Sequence, residues 1–334
     1  MRLTEIGEFG LIDRITRIVN GSKPDIVVGI GDDAAVVRSD LRKLKVLTTD
    51  VMVEGIHFNL AYTPFESLGW KALATTISDV AAMGGIPLYG LVSLALPVSW
   101  NVENVELLYK GLKRCGDVYQ CTLVGGDTVQ SQGMCFISVA VMGEIEEGSV
   151  VRRNGAKEKD LICVTGELGG ATVGFEVLES GQGKDNFPDS VSRFLEPKVR
   201  LQESQQLVKE MHVSSMIDIS DGLSSEITHL CQQSDCGCII WEDQIPVSKE
   251  AIFWSRGHEK AISAYALKSG EEYELLFTVA RTEFEKWRNS TKNKKNVLNI
   301  TVIGEITRKE EGICSMKGGK KKQLVPDGWD HFHK

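Results

Sequence analysis

The stretch Asp218-Ile219-Ser220-Asp221-Gly222-Leu223 decides the fold, because it joins a predicted β-strand to a predicted α-helix. Ser220 or Asp221 at such a junction is explained as a helix N-cap, worth about 1 kcal/mol. Asp218 is harder to explain as a cap, since it sits between two isoleucines of the strand, where a carboxylate is costly unless it is paired or metal-bound. The stretch therefore favours an α/β fold with a functional Asp218, and a capping role for its neighbours is compatible with a functional one.

Similar acidic segments follow other apolar runs: Gly31-Asp32-Asp33, Thr48-Thr49-Asp50, Ser78-Asp79 and Gly125-Gly126-Asp127. One such segment alone is equally well explained as an ordinary turn, and the recurrence is what favours a common role. Carboxylate and hydroxyl oxygens suit Mg²⁺, which usually completes its shell with water and substrate phosphate oxygens. Adjacent glycines lack a Cβ, so a backbone N–H can approach an anion closely. Together the segments predict a magnesium-dependent phosphate site.

Composition narrows the class of protein further. The chain has 334 residues, 42% of them hydrophobic, which is enough for two domains of ordinary size. Its 38 basic and 46 acidic residues give a net charge of −8, which argues against nucleic acid as a partner and for cations between the carboxylates and a bound nucleotide. The longest apolar stretch, residues 91–98, is far short of the roughly 20 residues that cross a bilayer. Because the N-terminus also lacks the features of a signal peptide, we expect a cytoplasmic protein with no membrane partner.

The eight cysteines are expected to be reduced, because most lie within apolar runs, where a free thiol behaves as a small hydrophobic side chain. Cys231, Cys236 and Cys238 are close enough in sequence to suggest a site for a soft metal. No paired Cys-x-x-Cys repeat or neighbouring ligand histidine completes a zinc pattern, so structural thiols are favoured.

Hydrophobic periodicity predicts alternating helices and strands along the whole chain. In the first half, helices are predicted over residues 8–19, 63–85 and 102–117, and strands over residues 26–28, 34–37, 45–47, 88–96, 122–124 and 136–143. Asp50 is predicted to end a strand, Asp79 to lie in the last turns of a helix, and Asp127 to lie in a turn.

A polar segment at residues 146–149 marks the predicted domain boundary. It divides the chain into a first domain over residues 1–147 and a second over residues 148–334. The second half restarts with a strand over residues 161–164 and again alternates helices with strands, ending in a predicted lysine-rich hairpin turn at residues 317–322.

Two familiar nucleotide-binding motifs are missing from the sequence. Gly29-Ile30-Gly31 begins like a dinucleotide fingerprint but lacks the further glycine and helix, and no P-loop sequence is present. Three other residues are candidates with ordinary alternatives. His57 is either a packed side chain or a ligand contact, Trp329 either anchors the C-terminus or stacks on a planar ligand, and Arg153 is either a surface charge or a phosphate contact.

In their order along the chain, these motifs closely resemble the thiamine-monophosphate kinase family. The resemblance runs nearly end to end and is carried by Gly7-Glu8-Phe9, Gly29-Ile30-Gly31-Asp32-Asp33-Ala34-Ala35, Thr48-Thr49-Asp50, Gly55-Ile56-His57-Phe58, Lys71-Ala72-Leu73-Ala74, Ser78-Asp79-Val80-Ala81-Ala82-Met83-Gly84, Gly125-Gly126-Asp127-Thr128, Arg153-Asn154-Gly155-Ala156, Asp218-Ile219-Ser220-Asp221-Gly222-Leu223, Ser269-Gly270-Glu271-Glu272-Tyr273-Glu274-Leu275 and Trp329-Asp330-His331-Phe332. The sequence departs from the common pattern at Thr48, where serine is frequent, and at Glu272, where aspartate is frequent, and both changes keep the oxygen chemistry.

The resemblance implies a fold, an activity and a set of site residues. The fold is a two-domain α/β architecture with mixed sheets, shared with aminoimidazole ribonucleotide synthetase and selenophosphate synthetase, in which the N-terminal domain binds ATP and forms a homodimer and the C-terminal domain completes the site. The activity is phosphorylation of thiamine monophosphate to thiamine diphosphate, with several Mg²⁺ ions and ATP as co-substrate. By this resemblance, the Mg²⁺ ligands are Asp33, Thr48, Thr49, Asp50, Asp79, Asp127, Asp218 and Asp221, the ATP contacts are Tyr109, Gly126, Asp127, Arg153 and Ser220, and the substrate contacts are His57, Glu271 and Trp329.

The expected mechanism is an in-line attack by the substrate's own phosphate oxygen on the γ-phosphorus of ATP. Because that nucleophile is already an anion, we assign no residue as a general base. Selenophosphate synthetase normally has a reactive cysteine or selenocysteine near its N-terminus, whereas the first cysteine here is Cys115. Hydrogenase-maturation relatives end in cysteine, whereas this chain ends in His331-Phe332-His333-Lys334. A non-catalytic sensor of metal and nucleotide would keep the same ligands without phosphoryl transfer.

Overall fold

The structure is a computed structural model that describes residues 26–28, 32–38, 43–181, 183–258, 260–292 and 298–332. The predicted helix over residues 8–19, and Gly29, Ile30 and Gly31 of the first acidic segment, lie outside the described residues.

The first half of the chain forms one mixed sheet with two helices on its inner face. Its elements are β1 (Ile26–Val28), β2 (Ala35–Arg38), β3 (Lys43–Val53), α1 (Phe65–Ala82), β4 (Ile86–Pro97), α2 (Val102–Tyr119), β5 (Thr122–Ser131) and β6 (Phe136–Glu146). The strand order is β1-β2-β3-β6-β4-β5, in which β4 and β5 run parallel and the other neighbours run antiparallel. The core of this half lies between the sheet and the two helices.

The second half forms another mixed sheet flanked by helices. Its elements are β7 (Asp160–Thr165), α3 (Gly170–Ser180), α4 (Pro188–Leu195), α5 (Leu201–Glu210), β8 (Val213–Asp218), α6 (Leu223–Gln233), β9 (Gly237–Trp241), α7 (Lys249–Ser255), α8 (Ile262–Lys268), β10 (Leu275–Ala280), α9 (Arg281–Thr291), β11 (Ile300–Thr307), β12 (Ile313–Lys317) and β13 (Lys320–Gln323). The strand order is β13-β12-β9-β11-β7-β10-β8, and β12 and β13 form the predicted lysine-rich hairpin. The predicted division between residues 147 and 148 stays a prediction.

The strand that carries Thr48-Thr49-Asp50 is longer than the sequence predicts. Asp50 was expected to end a strand over residues 45–47, but β3 continues to Val53 because it pairs with β6 along its whole length. Asp50 lies opposite the buried Val139 in that ladder, on the face that α1 covers. It is therefore a mid-strand carboxylate pointing towards the inside of the molecule.

The segment Gly125-Gly126-Asp127 was predicted to be a turn, and that prediction is wrong. Strand β5 runs straight through it and pairs in parallel with β4, with Gly126 beside Val92 and Asp127 beside Ser93. A Cβ on Gly126 would lie 1.8 Å from the carbonyl oxygen of Val92, so this strand position requires glycine.

Helix α1 links the two halves of the chain. It ends before Gly84, which has a φ of +81°, as the sequence predicts, and Pro64 rather than Thr63 is its N-cap residue. Trp70 Nε1 donates a hydrogen bond to the carbonyl oxygen of Pro197 at 2.8 Å, and the Ser204 hydroxyl of α5 donates to the carbonyl oxygen of Ala81. These contacts hold α1 against α5 and the segment that precedes it. No helix within the described ranges has both the length and the apolar character needed to span a bilayer.

Candidate active site

Three aspartates from different elements converge where α1 meets β8. Asp33 precedes β2, Asp79 lies in the last turn of α1, and Asp218 is the last residue of β8. One carboxylate oxygen from each of them lies within 4.8 Å of the other two. Thr48 Oγ1 donates to Asp79 Oδ2 at 2.6 Å, and the Ser78 hydroxyl donates to Asp218 Oδ2. The structure thus brings together acidic residues from segments that are far apart in sequence, and we call this group the acid cluster.

Burial and mutual repulsion raise the pKa values of Asp218 and Asp79 in the acid cluster. Burial, followed by the charge of Asp33, raises the pKa of Asp218 to about 8. Burial, followed by the charges of Asp50 and Asp218, holds the pKa of Asp79 well above its usual range. Burial also raises the pKa of Asp50, although hydrogen bonds from two threonines of α1 act in the opposite direction and lower it. A cation placed among these oxygens would relieve the repulsion.

This donor set fits Mg²⁺. It consists of carboxylate oxygens, with the Thr48 hydroxyl nearby, and hard oxygen ligands are the ones that Mg²⁺ prefers. The soft-metal alternative gains no support, because the one group of at least three His, Cys, Asp or Glu side chains placed to hold a metal among the described residues is that of Asp33, Asp79 and Asp218.

Arg153 closes one side of the acid cluster. Its Nε and Nη2 donate to the two carboxylate oxygens of Asp33 at 2.9 and 2.7 Å, which is a bidentate pair. Burial, followed by the charge of Asp33, raises the pKa of the neighbouring Asp32 to about 6. The predicted contact between Arg153 and ATP would therefore compete with an existing ion pair.

The junction after β8 differs from the simplest expectation. Helix α6 begins at Leu223 with Gly222 as its N-cap and no capping side chain, so the capping role expected for Ser220 or Asp221 is wrong. Glu226 of α6 instead accepts a hydrogen bond from the backbone N–H of Asp221 at 2.9 Å. Burial, followed by the charge of Asp221, holds the pKa of Glu226 well above its usual range. The sequence analysis missed Glu226, because an acid in the first turn of a helix normally lies at the surface.

A cavity of about 890 Å³ opens beside the acid cluster. Of the predicted metal and ATP contacts, its walls include Thr49, Asp50, Asp79, Asp218, Ser220 and Asp221. The three predicted substrate contacts, His57, Glu271 and Trp329, line the same cavity.

His57 and Trp329 meet through His331. The Nδ1 of His57 accepts a hydrogen bond from the backbone N–H of Val53 at 3.0 Å, which leaves Nε2 as the protonated nitrogen of the neutral ring. Burial, followed by the charges of His331 and Lys71, lowers the pKa of His57 to about 4, so the ring is neutral at pH 7. Trp329 Nε1 donates to His331 Nδ1 at 3.2 Å, and the tryptophan remains 52% exposed. Its ring is available to stack on a planar ligand.

Glu271 lies in a loop with an unusual backbone. Glu271 and Tyr273 have φ values of +58° and +51°, which non-glycine residues rarely adopt. Their backbone N–H groups donate to the carbonyl oxygens of Ser220 and Ile219 at 2.6 and 2.9 Å, so the loop is fixed to the β8 junction. The geometry ties a predicted substrate contact to the segment that carries Asp218.

The fold of one chain does not bring Gly126, Asp127 and Tyr109 to the acid cluster. Across β3, β6, β4 and β5, the register places Gly126 in the same row as Asp50 but three strands away, about 14 Å at the usual strand spacing. Asp127 is one residue further along, so its side chain lies on the opposite face, in the row of the exposed Ser93. Tyr109 is 37% exposed on α2, and none of the three lines the cavity.

The fold and the acidic cavity define a class of protein. The sequence matches the N-terminal domain of AIR synthase related proteins over residues 31–145 and their C-terminal domain over residues 157–317. The chain therefore belongs to the AIR synthase related class, and the predicted mixed α/β fold is confirmed.

Full-length relatives define the family within that class. The chain is 38% identical over 334 residues to thiamine-monophosphate kinase from Aquifex aeolicus, covering 99% of this chain and 100% of the relative. It is 34% identical over 333 residues to thiamine-monophosphate kinase from Bacillus subtilis, covering 97% and 99%. A solved structure described as AaThiL complexed with AMPPCP and TMP superposes with a TM-score of 0.87 at 36% identity over 99% of each chain. The chain belongs to the thiamine-monophosphate kinase family, as its ordered motifs predict.

Proposed function

We propose that this protein phosphorylates thiamine monophosphate to thiamine diphosphate, with ATP as the phosphoryl donor. Family membership confirms the prediction of a kinase of thiamine diphosphate biosynthesis. The observation that carries the specific reaction is that Asp79 and Asp218 of the acid cluster line the same cavity as the three predicted substrate contacts. The related AaThiL was solved with AMPPCP and TMP bound, which supports a site for nucleotide and substrate together.

We assign the divalent cation to the acid cluster. Asp33, Asp79 and Asp218 would hold Mg²⁺, with Thr48 and Asp50 beside them, and Thr49 and Asp221 remain candidates on the cavity wall. Mg²⁺ bound there supplies positive charge that neutralises crowded phosphate oxygens. Oxygen ligands, shared burial and raised carboxyl pKa values support this assignment.

The chain's own residues align the two reactants. The acceptor is a phosphate oxygen that is already negative, so the site needs no general base, and neutral His57 and fixed Glu271 serve to orient the substrate. Trp329 offers a broad ring at the open side of the cavity, where stacking on the substrate's heterocycle would also exclude water. Arg153 and Ser220 are the ATP contacts nearest to the acid cluster, Arg153 by its pair with Asp33 and Ser220 by its place on the cavity wall.

We propose that the protein is a homodimer formed through the outer face of the first sheet. Leu47, Val51, Tyr89, Leu91 and Phe136 are each at least 38% exposed. They form one patch, because β6 pairs with both β3 and β4 and their outward side chains share its exposed face. Contiguous apolar surface of this kind marks an interaction site. A second copy of the chain fits it, since isologous pairing through one self-complementary face is the commonest arrangement of homo-oligomers.

A homodimer would also give a role to the predicted contacts that lie away from the acid cluster of their own chain. Asp127 lies on this outer face, and the register holds it away from the acid cluster of its own chain. We therefore assign Asp127, Gly126 and Tyr109 to the site of the second copy. With this assignment the three residues can still contact ATP, although they lie far from the acid cluster of their own chain.

Subunit complementation tests that assignment. Asp127→Ala and Asp50→Asn should each be inactive alone, whereas co-refolded mixtures should regain about a quarter of wild-type activity, because half of the dimers are mixed and each has one intact site. An equal mixture of two separately refolded variants is the control. No recovery in co-refolded mixtures that contain mixed dimers would show that Asp127 does not act across the interface.

The proposed reaction is tested by ADP production with purified protein, ATP and Mg²⁺. Thiamine monophosphate is compared with free thiamine, the aminoimidazole-pathway substrate and selenide, with EDTA as the control. Turnover with thiamine monophosphate alone, together with formation of thiamine diphosphate, is the expected result. ATP binding without turnover on any acceptor would favour the non-catalytic sensor instead.

The cytoplasmic location expected from the sequence and the division of the chain into two domains between residues 147 and 148 are retained as proposals.

A further inference from the structure

Lys71 is a buried cation immediately behind the substrate side of the cavity. It lies on α1, and its side chain is 1% exposed. Lys71 is not one of the described residues that line the cavity. A lysine is almost never buried to this degree unless it is paired, because an uncompensated buried ammonium costs several kcal/mol. Its contacts therefore have to account for its position.

The ammonium group of Lys71 contacts three residues that do line the cavity. Its Nζ lies 2.8 Å from Glu271 Oε1, 3.4 Å from the carbonyl oxygen of His57, and 3.8 Å from the centroid of the Phe194 ring. These partners come from the loop before β10, the segment after β3, and helix α4. One buried charge thus joins three separate parts of the wall.

We infer that Lys71 is a positioning residue for the acceptor substrate and acts mainly through the carboxylate of Glu271. The inference rests on the proposed function, which places thiamine monophosphate against His57, Glu271 and Trp329. The Glu271 carboxylate is 28% exposed, so it reaches the cavity while Lys71 fixes one of its oxygens from behind. Fixing a flexible glutamate before binding lowers the entropy that the substrate would otherwise have to overcome.

The contacts of Lys71 with His57 and Phe194 support the same role. The carbonyl group of His57 belongs to the residue whose ring lines the cavity, and the Phe194 ring holds the ammonium by a cation–π contact. The charge of Lys71 also contributes to the lowered pKa of His57. None of these contacts reaches the acid cluster, so loss of Lys71 should affect the acceptor more than the nucleotide.

The first test is steady-state kinetics of Lys71→Met, which removes the charge and keeps much of the side chain's volume. We expect the KM for thiamine monophosphate to rise on the order of tenfold, with the KM for ATP changed by less than about twofold. Ser215→Ala is the matched structural control, because it removes a buried hydrogen bond to Thr278 at 2.7 Å without touching the cavity. It should lower Tm without a change in the KM for thiamine monophosphate. An unchanged KM in Lys71→Met, or equal increases for both substrates, would overturn the inference.

The second test compares a double variant with Glu271→Gln and does not require Lys71→Met to fold. Lys71→Met/Glu271→Gln removes both charges of the buried pair, so it leaves no uncompensated ion. If Lys71 acts through Glu271, the double variant and Glu271→Gln should have the same KM for thiamine monophosphate within about twofold. A clearly higher KM for thiamine monophosphate in the double variant would contradict the claim that Lys71 acts through Glu271. Absence of wild-type turnover would overturn the proposed function itself, whereas wild-type turnover with these effects missing would overturn the role of Lys71 alone.

Discussion

The two sides of the cavity balance charge in different ways. At the acid cluster, one carboxylate oxygen from each of three aspartates lies within 4.8 Å of the others. Arg153 lies beside them and forms a bidentate ion pair with Asp33. At the substrate side, the charge of Glu271 is matched by the buried ammonium of Lys71 at 2.8 Å. The pKa values of Asp79 and Asp218 are raised in the first arrangement, and the second consists of a paired acid and base.

This difference separates a site that needs a ligand cation from a site that is complete in itself. Carboxylates crowded in a buried place repel one another unless a metal joins them, so the acid cluster is costly in the free protein. In the Lys71–Glu271 pair each charge has its partner, so removing one partner alone would leave an uncompensated buried charge. We expect changes at the acid cluster to alter catalysis and metal dependence, and changes at the substrate side to alter substrate binding.

The largest expected effect is that of Asp50→Asn. The substitution keeps the shape of the side chain but removes a negative charge beside Asp79, so turnover should fall by about a thousandfold. In EDTA the same variant should be more heat-stable than the wild type, because one repelling charge is gone. Kinetic assays with Mg²⁺ and thermal unfolding with EDTA measure the two effects.

Asp117→Asn is the control for Asp50→Asn. Asp117 is an exposed acid of α2 paired with Lys113, far from the cavity wall, and its loss should change neither quantity appreciably. Full activity of Asp50→Asn at ordinary Mg²⁺ concentrations would contradict a metal role for this carboxylate.

A smaller effect is expected from Trp329→Ala. Loss of the exposed ring should raise the KM for thiamine monophosphate by about tenfold through lost stacking, with little change in the KM for ATP. Trp329→Phe, which keeps an aromatic ring, should recover most of the affinity. Similar KM values for thiamine monophosphate in the wild type and Trp329→Ala would limit Trp329 to anchoring the C-terminal segment.

The smallest effect concerns stability and pH in EDTA. We expect Tm to fall as pH rises from about 7.5 to about 8.5, because the folded protein keeps a proton on Asp218, whose pKa is about 8, that the unfolded chain has already released. His57 and His229 have pKa values lowered to about 4 from 6.5, so their contribution, which has the opposite sign, is nearly complete at about pH 7.5, one unit above the pKa of the unfolded chain. Thermal scans across the range measure the slope.

Asp218→Asn and Mg²⁺ identify the source of that slope. Asp79, Glu226 and Glu272, whose burial raises their pKa values, contribute with the same sign, so only the part of the slope that disappears in Asp218→Asn is assigned to Asp218. Mg²⁺ should raise Tm most at high pH, where the carboxylates are ionised. A slope that is identical in the wild type and the variant would contradict the raised pKa of Asp218.

The sequence predicted the alternation of helices and strands, because hydrophobic period is a local signal, and its recurring motifs pointed to Asp33, Asp79 and Asp218 as parts of one site. The lengths of β3 and β5 were mispredicted, since they depend on ladder partners far away along the chain. For the same reason the separation of Asp127 from Asp50 became visible only with the sheet register.

Two further residues show where motif analysis stops. Glu226 resembles an ordinary first-turn acid, and its contact with Asp221 depends on how the β8 junction folds. Lys71 belongs to a quoted motif but received no role from the sequence. The available signal was its place in residues 68–74, a run that is apolar apart from this lysine and where a lysine has to be paired once the helix is buried.

A crystal of the protein grown with Mn²⁺ and a non-hydrolysable ATP analogue tests the central claim most directly. Mn²⁺ replaces Mg²⁺ on oxygen ligands and is located by its anomalous scattering. The account predicts an anomalous peak bounded by the carboxylates of Asp33, Asp79 and Asp218. A bound nucleotide with its metal elsewhere, and these three carboxylates free of any ion, would contradict it.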